Sequence, residues 1–219
     1  MDDHLLNPYF FAYNPELLAF ENAWVNFMKS GRIKSAVVKR IVADSWRRCK
    51  ALGLDPMSSK GIPLLPEDRV AEKLNENAEI LEIVMPYMDS LYEIVKGSGF
   101  IIHYVDADGF ILKSVGDRDT MEIAEKTLSL PGANRLEAAA GTNSIALAVV
   151  TKKPVQIAGA EHYVHVFHRW TCSAAPVLNN AGEVICVISV AGRYETIHQH
   201  TLGMVSSVAR AIENEIRIR

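Results

Sequence analysis

The chain has 219 residues, 49% of them apolar, and a formal charge of −3 at neutral pH. That apolar share supports a packed core and excludes a disordered chain. The acidic balance argues against a surface devoted to nucleic acid, and no uninterrupted apolar run reaches the ~18 residues of a membrane span.

The start, MDDHLLNPYF, lacks the basic region of a signal peptide. Cys49, Cys172 and Cys186 show no CxxC spacing, so reduced thiols and a cytoplasmic location are expected. Pro15 to Lys29 reads as a helix, with Asn14 as N-cap and Pro15 at the first helical position. A second helix is expected from Lys34 to Leu52, stopped by Gly53 and Pro56, with Val38, Ile41, Val42, Trp46 and Cys49 as its apolar stripe. Lys34, Lys39, Arg40, Arg47, Arg48 and Lys50 stand there against a single acid, Asp44. A basic helix can grip phosphates, but the stripe around Trp46 favours a packed helix with a solvated charged face.

Asp55 to Pro66, with three prolines, reads as a linker. A long helix is expected from Glu67 to Lys96. Its seam is Val70, Leu74, Asn77, Leu81, Val84, Met88, Leu91 and Val95, at spacings of three and four, with Pro86 as a kink or break. Such a seam can pack on its own domain or join two copies of the chain. Phe100–Val105 and Phe110–Ser114 read as strands about the turn Asp106–Gly109. Asp119–Leu128 and Gly141–Val150 read as helices, the latter starting near Thr142 or Asn143, with a loop between them. Pro154–Ile157, Arg169–Leu178 and Glu183–Ala191 read as strands, the last two joined by Asn179–Gly182. A final helix from His198 carries Leu202, Val205, Ala209, Ile212 and Ile216 as a second seam. The order predicts an α+β fold, an antiparallel sheet with flanking helices.

Several motifs occur in sequence: SWRRCKALGLDP (Ser45–Pro56), VDADGFIL (Val105–Leu112), GTNSIALA (Gly141–Ala148), PVQIAGAEHY (Pro154–Tyr163) and WTCSAAPVLNNAGEVICVISVAG (Trp170–Gly192). Together they resemble the N-terminal sensory region of bacterial sigma-N-dependent transcriptional activators, in the branch governing acetoin and dihydroxyacetone catabolism. The resemblance covers about three quarters of the chain and rests on the order of the motifs. It implies a GAF domain from Gly97 to about Arg219. Residues 1–66 then form a helical N-terminal region and linker, and 67–219 the sensor with its lead-in helix. It further implies a small-molecule effector, a homodimer through the two seams, and no enzymatic activity, cofactor or metal. Contacts with DNA and sigma-N polymerase would come only through effector domains absent from this chain. No GxxxxGK[ST] phosphate loop occurs, so the chain reads as a sensor fragment or a stand-alone sensor.

The candidate ligand residues are His103, Asn143, His162, Tyr163, His165, His168, Trp170, Cys172 and Ser173. His162, His165 and His168, three apart, would share a face on a helix and alternate on a strand. They line a pocket, or with Cys172 ligate a metal or haem, or His162 hydrogen-bonds locally and the other two are solvated or on a pocket wall. Cys172 is a nucleophile, as in a GAF-fold reductase, only if a nearby cation lowers its pKa; otherwise it is an inert strand residue. Along that strand Trp170, Cys172 and Ala174 share one face, and Thr171, Ser173 and Ala175 the other. His103, mid-strand beside Ile101 and Val105, aims into the pocket if that face is the cavity side. The irregular segment Glu161–Trp170 is expected to be a lid.

Overall fold

A computed structural model describes residues 15–33, 36–58 and 64–219. The expected cap Asn14 and the expected helix start at Lys34 lie outside the described residues. Helix α1 (Pro15–Ser30) buries Leu17, Phe20, Ala23, Trp24 and Phe27 along one stripe. Helix α2 (Arg40–Ala51) buries Val42, Ala43, Ser45, Trp46 and Cys49.

The expected long helix is two, α3 (Glu67–Glu76) and α4 (Ala78–Val95), and the break falls at Asn77. The Asn77 amide donates to the Lys73 carbonyl at 2.8 Å, and its oxygen accepts the Tyr104 hydroxyl at 2.8 Å. The polar residue of the seam thus ends one helix and anchors the next to the sheet. Pro86, the expected break, lies within α4 on its exposed side. Water can satisfy there the carbonyl that loses its N–H partner.

Strands β1 (Phe100–Asp106) and β2 (Ile111–Gly116) form a hairpin. Gly109 closes its turn at φ 84°, against Leu136: a Cβ there would sit 2.5 Å from the leucine's Cγ. Helices α5 (Arg118–Lys126), α6 (Glu137–Ala140) and α7 (Ser144–Thr151) precede β3 (Val155–Ala158). Strands β4 (Trp170–Leu178) and β5 (Val184–Arg193) and helix α8 (Gln199–Ile218) complete the chain. The sheet order is β2-β1-β5-β4-β3, antiparallel throughout. This is the expected α+β, GAF-type arrangement.

The two faces of the sheet differ because side chains alternate along each strand. Ile102, Tyr104, Val177, Ile188 and Val190 meet α4 and α8 on one face. Leu81, Val84, Met88, Leu91 and Val95 of α4, with Val205, Ala209 and Ile212 of α8, are buried in that layer. Much of both seams is therefore used within the chain, and the homodimer expected through them stays a proposal. On the other face α7 packs Ile145 and Ala148 against Val105, Ala174 and Val187. Helices α1 and α2 also pack on that side, in one core with Ile101, Ile157, Phe167 and Trp170. Residues on both sides of position 66 thus share a core.

Met88 is fully buried, so Met88→Ala should destabilise the chain by about 2–5 kcal/mol. The loss should be independent of protein concentration, because its partners lie in the same chain. Denaturant midpoints at low and high concentration check this; a concentration-dependent loss would place the seam between copies.

Candidate functional site

A cavity lies on the sheet face opposite α4 and α8. Its floor includes His103, Cys172 and Ser189, and its roof Arg135, Phe167 and the first turn of α7. His103 and Ser189 are direct partners across β1 and β5, which sets them side by side on this face. Counted to its mouth the free space is about 370 Å³, of which only about 20 Å³ admits the centre of a water molecule. That is room for one or two waters.

The His103 Nδ1 pairs with the Ser114 hydroxyl at 2.8 Å. Burial, reinforced by the charge of Arg135, pushes its pKa down to about 3. The imidazole is therefore a neutral wall of the cavity at physiological pH. Trp170 lines the cavity with its indole N–H buried and without a hydrogen-bond partner. Burial pushes the Cys172 thiol up to about 12, against a smaller pull from Arg135. Cys172 is thus no thiolate, and Cys186 lies in the helix-side core across the sheet, so the two sulfurs cannot pair.

Arg135 escapes sequence reasoning. It sits in a loop, ANRLE, where an acid two residues on suggests an ordinary surface pair. That acid, Glu137, is spent elsewhere: Arg48 of α2 grips its two oxygens at 2.7 and 2.6 Å, and the Ser45 hydroxyl donates to it at 2.5 Å. Arg135 turns inward and is only 5% exposed, with its guanidinium carbon 4.4 Å from the Phe167 ring centre. Its Nη1 is buried without a partner, and among the described residues no carboxylate pairs with it. Desolvation lowers its pKa to about 10, which leaves it a cation at neutral pH.

Asn143, expected to touch ligand, is a brace. Its oxygen caps α7 by accepting the Ala146 N–H at 3.0 Å, and its amide donates to the carbonyls of Arg135 and Gly141 at 2.8 and 2.9 Å. It lines the cavity but chiefly holds the Arg135 backbone. Ser173, grouped with Cys172 in the sequence reading, faces the opposite way by strand alternation and accepts the Gln156 amide at 2.8 Å.

The three histidines do not converge. His162 bonds the Gly159 carbonyl through Nδ1 at 2.9 Å, and burial outweighs that bond to push its pKa to about 3. His168 faces Glu21 of α1 through Nδ1 at 3.1 Å and the His162 carbonyl through Nε2 at 3.2 Å. Burial opposes ionisation of Glu21, but the His168 hydrogen bond and charge hold its carboxyl below the ordinary range. Glu21, His165 and His168 bring ligand atoms within 4.8 Å of one another, the only grouping of metal-ligating type among the described residues.

The expected lid is a covered loop. The Trp24 indole donates to the Tyr163 carbonyl at 2.9 Å, and the Trp46 indole to the Glu161 carbonyl at 2.9 Å. The Tyr163 hydroxyl donates to the Leu54 carbonyl at 3.2 Å, and the His165 N–H to that of Pro56 at 2.8 Å. Tyr163, Phe167 and His168 are buried because α1, α2 and residues 54–56 lie over them.

His103 and His162 make stability depend on pH. Folded, both stay neutral down to about 3; unfolded, both take a proton near 6.5. The unfolded chain binds more protons in between, so their contribution is complete above about pH 6.5 and is lost as pH falls toward 3. Each group supplies about 1.4 kcal/mol per pH unit inside that window. His162→Gln should remove roughly half of the combined slope. Denaturant titrations from neutral to mildly acidic pH test this, and an unchanged slope would show that His162 takes a proton in the folded state.

The MimR N-terminal domain family matches residues 19–214. A signal-transduction and transcriptional-control protein of Clostridium beijerinckii is 33% identical over 182 residues, 82% of this chain and 28% of that protein. The acetoin dehydrogenase operon transcriptional activator AcoR of Bacillus subtilis (strain 168) is 31% identical over 193 residues, 88% of this chain and 32% of that protein. This chain thus spans about a third or less of these relatives, which are named as regulators. In fold, the chain resembles the E. coli DhaR(N)–DhaL complex structure, with a TM-score of 0.79 at 19% identity, covering 82% of this chain and 61% of that one. The family match runs through α1, α2, the sheet and most of α8, and the chain belongs to the MimR N-terminal domain family.

Proposed function

We propose that the chain is the ligand-sensing regulatory domain of a cytoplasmic transcriptional activator, and that a small-molecule effector in the sheet-face cavity signals through α8. The observation that carries this reading is a narrow-mouthed cavity lined by two residues with buried donors, Arg135 Nη1 and Trp170 Nε1, that have no partner in the described chain. Buried donors without acceptors are costly, and a ligand supplying acceptors removes that cost. Contacts with DNA and sigma-N polymerase belong, in this reading, to other modules of the activator.

The route to α8 is short. Strands β4 and β5 give Cys172 and Ser189 to the cavity and Ala175, Ile188 and Val190 to the layer under α8. The Leu178 N–H donates to Glu213 of α8 at 2.8 Å, and the Gln156 amide to the His198 carbonyl at the α8 N-cap at 3.0 Å. An effector shifts α8 only if its affinity differs between two arrangements of these strands. The homodimer stands as a proposal for the outer faces of α4 and α8, where Ile94 and Ile218 are exposed.

Acetoin, which the name of the Bacillus relative mentions, is a first probe. Trp170→Ala should weaken binding about tenfold or more with the fold intact, whereas Cys172→Ser should retain it. Loss of function on Cys172→Ser alone would favour a cysteine enzyme. Bound probe should slow hydrogen exchange in residues 161–170 and 200–219; protection confined to the first segment would refute the route to α8. A metal-dependent sensor is the second reading, favoured by Glu21, His165 and His168. It predicts that Zn²⁺ raises the melting temperature and that His165→Ala abolishes the rise, and a melting temperature indifferent to Zn²⁺ removes it.

A further inference from the structure

The charge lining the cavity is one-sided. Arg135 brings a guanidinium whose Nη1 is buried without an acceptor, and Trp170 an indole N–H in the same condition. Ser129, Ser144 and Ser189 add hydroxyls. The first turn of α7 also forms part of the wall, and a helix N-terminus presents free N–H groups and the positive end of its dipole. Among the described residues no carboxylate lines the cavity. The neighbouring acids are engaged: Glu137 by Arg48, and Glu161 by Lys39 and the Ala158 N–H. Donors and positive charge therefore converge on a space without an anion.

A buried cation without a counter-charge is strongly disfavoured, and stacking on Phe167 offsets only part of that cost. Phe167 lies against the guanidinium, and Nη1 is left without an acceptor; a guanidinium can grip a carboxylate through one or two of its N–H groups. The narrow interior, room for one or two waters as it stands, favours the smallest guests, and a monocarboxylate would have to push its walls apart to enter. Ile111, Ile145 and Ala191 supply apolar wall for a short carbon tail.

We infer that the cavity selects a small monocarboxylate, clamped at its carboxylate by Arg135 and enclosed by Trp170 and Phe167. The inference rests on the reading of this cavity as the effector site and adds the chemical class of the effector. Asn143 is then a positioning residue, since it holds the Arg135 carbonyl while capping the helix that ends in the same wall.

The test uses lactate and acetoin, which differ only in a carboxylate oxygen replaced by a methyl group, and pyruvate and diacetyl, which differ in the same way. Calorimetric titration of the 219-residue chain in carboxylate-free buffer should show at least one acid binding roughly tenfold or more tighter than its neutral partner. Arg135→Gln should abolish that preference. Equal or tighter binding of acetoin or diacetyl would overturn the carboxylate class and leave the effector-site reading standing. Binding of none of the four would also overturn the class, and the effector-site reading then stands or falls on whether other small metabolites bind. A second measurement needs no ligand. If Arg135 is held for a guest, Arg135→Met should raise the melting temperature of the ligand-free chain by about 2–4 °C or more. A clear fall would mark Arg135 as a structural cation and overturn the proposal.

Discussion

The loop between β3 and β4 is the constraint on which the site depends. From Gly159 to Arg169 the chain has no strand partner, yet most of it is buried. Buried carbonyls need donors, and here two come from tryptophan indoles of the N-terminal helices, Trp24 to Tyr163 and Trp46 to Glu161. Lys39 adds a cation for the buried Glu161 carboxylate. With this loop fixed, Phe167 can lie against Arg135 and Trp170 can close the cavity. The helices before the sheet are thus part of the domain's core, and the family match across residues 19–214 includes them.

The basic helix α2 illustrates how charge is used. Its cations could have formed a phosphate-binding face. Instead Arg40 and Arg47 pair with Asp44 on the helix itself, while Arg48 and Lys39 reach Glu137 and Glu161. The two outgoing pairs differ in kind from the two local ones. Exposed pairs along a helix contribute little. The pairs to Glu137 and Glu161 tie α2 to the segments that hold those acids.

Much of the fold was legible because local signals agreed with the global one. The turns at Asp106–Gly109 and Asn179–Gly182 placed the hairpins, and the Asn143 cap placed α7. Period-two alternation already set Ser173 opposite Cys172. Of the two, only Cys172 lines the cavity, while Ser173 accepts the Gln156 amide on the other face. The seams were visible, but their partner was not. Apolar spacing of three and four serves a sheet face as well as a second helix, and Tyr104 reaching Asn77 decides for the sheet. The histidine triplet splits: the rings of His165 and His168 lie 4.9 Å apart, while His162 turns to the Gly159 carbonyl, because spacing by three aligns all three side chains only on a continuous helix. Here His162 precedes the short turn His165–Phe167 and His168 follows it. Arg135 was hidden because its environment comes from distant residues: Arg48 takes its neighbouring acid and Phe167 takes its ring face.

Placing the unpaired cation at the cavity links affinity to coupling. A guanidinium on the surface would give an anion a weak, screened attraction. Buried beside Phe167 and braced through Asn143, it offers a strong interaction, but only while loop 159–169, α7 and the strands keep their arrangement. An anion bound there favours that arrangement over any in which Arg135 reaches water, and the difference in affinity between the two is what a signal requires. A neutral guest of the same shape would fill the same space while gaining less from the closed arrangement. In the proposed reading, the feature that would set ligand class is also the one through which occupancy would bear on β4, β5 and α8, and on α1 and α2 through the same loop.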